Sequence, residues 1–293
     1  MLVLVDKEGQ LCNRLWSYAP FIAYALHHDI AVRVLYLGPY HEAFEDLGRF
    51  PRITFPEWSS RSYDYLKQLT HLVHRLPRSL RRALRVDSLR FGDPAYERVK
   101  PLDRDGLVLV QSWRAPVPQR YMQSEHDRIR ELFRFRREST TKVDALLSRE
   151  LRPDDILVGI HLRRGDYATY RDGEYYYDDA TYAAFLRQLP AQFPGKRLRV
   201  LLCSNEAIRP EAFAEFAHFS VPDATGVEDL YALSRCDYIM GPPSTYSMWA
   251  SYYGRVPLLF LESAATPVKR EDFSVIIHQN HFANGRVLYG ESR

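Results

Sequence analysis

Three cysteines, at positions 12, 203 and 236, cannot form a complete paired framework, and each lies among apolar neighbours where a reduced thiol acts as a small hydrophobe. A reducing compartment is therefore expected. No stretch approaches the ~18–20 consecutive apolar residues that a membrane span needs. The run Met1 to Val5 is too short, and lacks the basic leader, to be a secretory signal. A cytoplasmic location is the expectation. Excess charge of one sign is also scarce, with 40 Lys and Arg against 37 Asp and Glu, whereas nucleic-acid-binding domains are far more basic. Nucleic acid is not an expected partner. No Cys or His pair has zinc spacing, and no Gly-x-Ser-x-Gly elbow occurs. The glycines of a dinucleotide fingerprint and the Gly-Lys-Ser/Thr ending of a phosphate loop are missing. Neither a nicotinamide nor a P-loop ATP site is supported on that ground.

What remains is substantial. The 293 residues are 46% hydrophobic, enough for one large or two medium domains. Aromatics reach 13%, with 20 Tyr, and tyrosine offers a ring face and a hydroxyl together. Leu2 to Val5 reads as a buried strand, Asp6 to Gln10 as a turn, and Leu11 to Leu26 as a helix by its apolar spacing. A β-branched run from Ala31 to Leu37 completes a βαβ unit, and Leu107 to Gln111 is a further strand. Glu125 to Glu150 is helical, and Leu151 to Asp155 interrupts it before the strongest strand signal, Ile156 to Leu162. The expected domains are 1–152 and 153–293, with a last helix as a candidate to pack back on the first. Beyond the boundary, helices at Thr181 to Leu189, Pro210 to Phe219, Val227 to Ser234 and Thr245 to Tyr253 alternate with strands at Leu198 to Cys203, Tyr238 to Met240 and Leu258 to Leu261. That alternation implies a second doubly wound α/β domain.

The segment 61–104 is amphipathic and basic, and Pro77 divides it into two helices. Two readings are open for it: a solvated helix pair covering the core, or a peripheral contact with an anionic membrane face or a lipid-linked glycan at the inner membrane face.

The segment from Val158 to Tyr167 places His161, Arg163, Arg164 and Asp166 where a parallel strand ends, and open α/β sheets bind ligands outside such ends. Arginine suits an anion there, because its planar fork can hold two phosphate oxygens and its charge does not titrate away. The residue types equally allow a strand-end ion pair of Arg163 or Arg164 with Asp166. Farther on, Gly241 to Ser247 follows a strand and opens a helix capped by Ser244 or Thr245, and helix N-termini accept phosphate. Two anion-holding devices on one domain suit a diphosphate. Asp103-Arg104-Asp105 has the acidic spacing of metal-dependent sugar transferases but precedes a strand, and reads as a turn. The tyrosine-rich run Thr169 to Asp179 is either an acceptor or lid loop, with Tyr175 as its test residue, or an ordinary packed loop.

Taken together, three blocks resemble the bacterial α-1,2-fucosyltransferases of glycosyltransferase family 11 and the wider fucosyltransferase superfamily. They are Gly9 to Tyr18 (GQLCNRLWSY), His161 to Tyr167 (HLRRGDY), and Asp229 to Cys236 (DLYALSRC) followed by Ser244 to Trp249 (STYSMW). The resemblance implies an α/β, GT-B-like fold of two facing Rossmann-like domains with parallel sheets, the first on the acceptor side and the second binding the donor. It implies an inverting, metal-independent transfer of fucose from GDP-fucose, a donor substrate rather than a cofactor, to a glycan acceptor. By the same resemblance Arg163 grips the β-phosphate, with Arg164 and His161 supporting the pocket and Asn13 contributing from the first block. Ser244, Thr245 and Tyr246 hold the diphosphate from the opposite side, Ser204, Asn205 and Glu206 lie near the nucleoside, and Asp237 reads guanine. Asp166, Glu174 and Asp6 are position-based candidates for the acceptor base, as is a phosphate oxygen. Another nucleotide sugar, or a non-catalytic GDP-sugar-binding protein of the same fold, are the alternatives. Pro242-Pro243, Thr245-Tyr246 and Met248 depart from the family pattern.

Overall fold

The computed structural model describes residues 1–7, 9–89, 106–113, 117 and 119–277. The chain divides into two units, Met1–Arg136 and Arg137–Arg293. In the first, β1 (Leu2–Leu4), β2 (Val32–Val34), β3 (Ile53–Thr54), β4 (Val86–Leu89) and β5 (Leu107–Val110) form one sheet in the order β3-β2-β1-β5-β4. Every pairing in it is parallel. Its helices are α1 (Leu11–His27), α2 (Ser60–Arg75), α3 (Arg78–Ala83), α4 (Gln119–Ser124) and α5 (His126–Leu132).

The expected β1, α1 and β2 are present, and α1 starts at the residue its apolar spacing indicates. The Tyr18 hydroxyl, buried on α1, bonds to the carbonyls of Asp6 and Tyr36, at 2.7 and 2.8 Å, and so fixes the loops at the carboxyl ends of β1 and β2. Pro77 separates α2 from α3 as its missing N–H requires. β4 follows at once, inside a segment whose spacing reads as helical; four residues are too few for an alternation to register. Residues 90–105, and with them the end of the basic segment and the Asp103-Arg104-Asp105 turn, lie outside the described residues.

The second unit contains α6 (Arg137–Glu150), β6 (Ile156–Leu162), α7 (Asp179–Leu186), α8 (Leu189–Gln192), β7 (Leu198–Ser204), β8 (His218–Phe219), α9 (Gly226–Leu233), β9 (Tyr238–Gly241), α10 (Thr245–Gly254) and β10 (Leu258–Phe260). The two compact units divide at Arg136, whereas the boundary expected from sequence lies after residue 152. The long helix drawn over 125–150 is broken between Leu132 and Arg137, and α6 goes with the second unit. Lys142 and Asp144 of α6 tie it to α9, through Glu228 at 3.0 Å and the Tyr231 hydroxyl at 3.1 Å. The last helix considered as a return onto the first domain falls in 278–293, outside the described residues.

The second sheet is parallel throughout, in the order β10-β9-β6-β7-β8. Its central strand β6 is apolar on both faces, as a strand covered by helices on each side must be. Val158, Ile160, Leu162, Tyr182, Phe185 and Leu202 are among its buried core. The chain winds outward from β6 through β7 to β8, then crosses back to β9 and β10 on the other side. The strand order therefore reverses at β6, and the crevice outside its carboxyl end is where such sheets bind ligands. The expectation of an α/β chain with two Rossmann-like parallel sheets holds.

Helices α9 and α10 cross at Gly254, where an added Cβ would collide with the Ser234 backbone carbonyl. Overpacking against backbone cannot be relieved by a rotamer change. Gly254→Ala should therefore lower stability by about 2 kcal/mol, read as an earlier midpoint in urea with an unchanged slope.

Candidate active site

Three loops meet at the carboxyl edge of the second sheet, because β7 and β9 flank β6 in register, with Leu162 opposite Ser204 and Ile160 opposite Met240. At the end of β6 the chain turns through Gly165 at φ +61°, a conformation that a side chain disfavours. Asn205, following β7, clasps this turn: its Oδ1 accepts from the Arg164 amide at 2.8 Å and its Nδ2 donates to the Arg164 carbonyl at 3.1 Å. From the other flank, the Pro243 carbonyl accepts from the Tyr167 hydroxyl at 2.5 Å. Burial pushes that phenol up to about 12, so it stays a donor at neutral pH.

The two arginines have different surroundings. Arg164 is buried and ion-paired with Asp179, the buried first residue of α7. The other Asp179 oxygen accepts from Arg209 Nε at 2.8 Å. Burial alone would raise the Asp179 carboxyl, but hydrogen bonds from Arg164 and Arg209 outweigh it and hold the group below its ordinary value. Arg164 is thus built into the framework. Arg163 instead faces the crevice edge. Its guanidinium lies 4.9 Å from the Tyr167 ring centroid and reaches the Asp166 carboxylate at 2.8 Å. The strand-end ion pair that the residue types allowed is therefore present. The Arg163 side chain is 16% exposed and that of Asp166 66%, so the pair is open to solvent on its carboxylate side, where another anion can take the place of Asp166.

The third loop ends in the α10 N-terminus. Ser244 caps it, accepting from the Tyr246 amide at 3.3 Å, as the Ser/Thr signal indicated. The Tyr246 ring stands 4.9 Å from the His161 ring, and its hydroxyl bonds to the Gly226 carbonyl at 2.6 Å. His161 is fully enclosed; burial, then the Arg163 charge, press its pKa down to about 3, leaving a neutral ring with no partner on Nδ1. Thr245 sits half-exposed in the first turn. The helix dipole makes this end attractive to anions.

Beside this edge a cavity of about 510 Å³ opens at the carboxyl ends of β7 and β8. Ser204, Glu206, Ile208, Phe219, Val221 and Asp229 are among its lining. Burial pushes the Asp229 carboxyl up to about 6. Asp229 was legible only as part of the DLYALSRC block, and its role in a pocket was missed.

Asp237 is a correction. Its carboxylate accepts from the Leu157 amide at 2.8 Å, at the amino end of β6, and it is exposed there. Arg163 lies six positions along the strand from Leu157, roughly 20 Å at the usual rise, so Asp237 belongs to the opposite edge. Of the two readings of the tyrosine-rich run, the burial of Tyr175 and Tyr177 favours the packed loop. The Tyr177 hydroxyl holds the Leu261 carbonyl at 2.9 Å. Glu174 lies 3.8 Å from Arg171.

Asn13 belongs to the first unit, in the opening of α1, and is half-buried. The neighbouring Arg14 is buried and donates to the carbonyls of Leu37 at 2.8 Å and Gly9 at 3.1 Å. Asp6 is buried, accepting from Ser112 Oγ at 3.1 Å and the Trp113 amide at 2.8 Å. A second cavity in this unit, of about 990 Å³, is lined by the segments after β2 and β3. Phe50, Phe55 and Trp58 contribute ring surface to it, Glu42 and Glu57 carboxylates, and His41 an Nε2 with no partner. The three cysteines are free and buried, as expected. Among the described residues no group of three or more His, Cys, Asp and Glu could hold a metal ion, and no helix is long and apolar enough to cross a membrane.

Asp179 has a consequence for stability. Its pKa is lower in the folded chain, so its contribution is complete above the unfolded carboxylate value, near 4, and is lost as pH falls through the folded one. Asp179→Asn should cost about 3 kcal/mol at neutral pH by leaving Arg164 without its buried counter-charge. It should also flatten the loss of stability below pH ~4, measurable by urea denaturation across pH.

No protein-family model matches the chain, and no curated protein does. Solved structures do. NodZ α-1,6-fucosyltransferase soaked with GDP-fucose superposes with a TM-score of 0.58 at 17% identity, over 88% of this chain and 94% of that one. POFUT1 in complex with GDP gives 0.53 at 13% identity, over 86% and 93%. A variant of Arabidopsis thaliana FUT1 in complex with GDP gives 0.56 at 13% identity, over 89% and 70%. The chain thus shares its fold, over most of its length, with solved fucosyltransferases.

Proposed function

We propose that the chain is an inverting glycosyltransferase that moves fucose from GDP-fucose to a glycan hydroxyl, in α-1,2 linkage on a galactose-type acceptor. One observation carries the reading: a guanidinium held by a solvent-exposed carboxylate, a capped helix N-terminus and a cavity large enough for a nucleoside lie at the switch point of a parallel sheet. In fucosyl transfer the C1–O bond breaks through an oxocarbenium-like state, and negative charge gathers on the departing β-phosphate. Arg163 and the N-terminal end of α10, at Ser244, Thr245 and Tyr246, receive that charge as it develops. The diphosphate displaces Asp166, which otherwise holds Arg163 in position. Arg164 acts through the framework by keeping the turn rigid, and neutral His161 shapes the wall against Tyr246. The nucleoside takes the 510 Å³ cavity, past Ser204 and Glu206. Ionised Asp229 accepts from N1–H and the N2 amine of guanine, the part first given to Asp237. The acceptor sugar belongs with the aromatic and carboxylate lining of the first unit's cavity, since ring faces stack on sugar C–H surfaces and carboxylates accept from hydroxyls. Asn13 stands at the mouth of the first βα turn on the same unit.

Arg163→Ala should reduce transfer from GDP-fucose by about 10²- to 10³-fold with thermal unfolding unchanged; retention of more than about a tenth of the activity would contradict its role. GDP affinity should rise with pH up to about 6, where Asp229 becomes ionised, and level off above it. Below that point the loss approaches about tenfold per pH unit. Asp229→Asn should remove this dependence in calorimetry, leaving only the slope that the phosphate's own titration gives both proteins. Trp58→Ala should raise the acceptor KM about tenfold and leave donor hydrolysis without acceptor unchanged.

A further inference from the structure

The helices α2 and α3 carry a surface that the reaction does not use. Among the described residues, five of the eight exposed large hydrophobic side chains fall on or beside them: Tyr65 at 66% exposure, Leu69 at 42%, Leu72 at 57%, Leu80 at 43% and Leu84 at 56%. These are not remnants of an incomplete core. The inward face of α2 is already satisfied, with Tyr63 buried, its hydroxyl on the Val5 carbonyl at 2.7 Å and its ring 4.8 Å from Tyr36. At 3.6 residues per turn, Tyr65, Leu69 and Leu72 share the side of α2 turned away from Tyr63 and Thr70. α3 has no buried residue at all.

Charge on this surface is predominantly positive. Arg61, Lys67, Arg75, Arg78, Arg82 and Arg85 are all exposed, and among the described residues none of them has an acidic partner. From 60 to 85 the only carboxylate is Asp64. Arg81 differs, being turned inward to Asp87 at 3.6 Å and Ser88 at 2.8 Å.

We propose that the outer face of α2 and α3 docks on an anionic lipid surface. Exposed leucines beside unneutralised arginines need an occupant that is negatively charged at its surface and apolar just beneath, which describes lipid headgroups over acyl chains. A second copy of this chain is disfavoured, because a two-fold contact through this face sets its cations against their own like. Nucleic acid would satisfy the arginines and leave the leucines in water.

The test is co-sedimentation of the full chain with vesicles of phosphatidylcholine alone and of phosphatidylcholine with phosphatidylglycerol. It needs no donor or acceptor, so its outcome is independent of the proposed reaction. Binding should be at least about tenfold stronger to the anionic vesicles and should weaken as salt is raised. Leu72→Glu and the double variant Arg78→Glu/Arg82→Glu should each lower it about tenfold or more, with circular dichroism and melting unchanged. Arg78→Lys/Arg82→Lys should retain it, since a lipid surface reads charge and not the guanidinium fork. Equal or absent binding to the two vesicle types would overturn the proposal, as would binding that survives the double Glu variant. So would a dimer in sedimentation equilibrium that Leu72→Glu disperses, or a preference for single-stranded RNA over anionic vesicles.

Discussion

A single buried carboxylate organises the edge on which the proposed chemistry depends. Asp179 takes Arg164 on one oxygen and Arg209 on the other, and so fixes the turn after β6 to the start of α7. Without that counter-charge Arg164 would be a buried, unpaired cation, and the peptide carrying it would have to move outward. With it, Asn205 can clasp the Arg164 main chain and Tyr167 can reach the Pro243 carbonyl, so that the loops after β6, β7 and β9 become one rigid rim. Arg163 is the arginine this arrangement leaves over.

Rigidity and availability are thereby assigned to adjacent residues. The Arg164 pair is enclosed on both sides, whereas the Arg163 pair ends on a carboxylate that is open to solvent. A diphosphate entering from solvent meets a cation that is already oriented by a carboxylate and an aromatic ring, at small cost in displaced interactions. Preorganised charge of this kind stabilises a leaving group more effectively than a side chain that must first be gathered in. His161 fits the same scheme as a neutral, enclosed wall, since a second full charge beside Arg163 would oppose its own ionisation.

Much of this was legible in the sequence, and the gaps have physical causes. β6 is read to the residue because its apolar run is continuous and bounded, and the α10 cap because a serine at a strand-to-helix turn has few other uses. β3 and β8, at two residues each, carry too little pattern to detect. Asp179 looks from sequence like an ordinary acid in a helix's first turn, and only the fold brings Arg164 and Arg209 to it. Asp237 was misplaced because proximity in sequence to β9 does not say which end of the strand a side chain occupies. Asp229, one helix earlier, is delivered to the carboxyl edge by the crossover from β8. The buried Tyr175 and Tyr177 show that tyrosine density alone does not separate a sugar-facing loop from a packed one.

The central claim is positional, and a crystal structure of the complex with GDP tests it most directly. The β-phosphate is expected within hydrogen-bonding distance of Arg163 and against the N-terminal end of α10, with Asp166 released from its pair and guanine against Asp229. A nucleotide bound elsewhere, or one bound while Arg163 still holds Asp166 and turns from the phosphate, would contradict it.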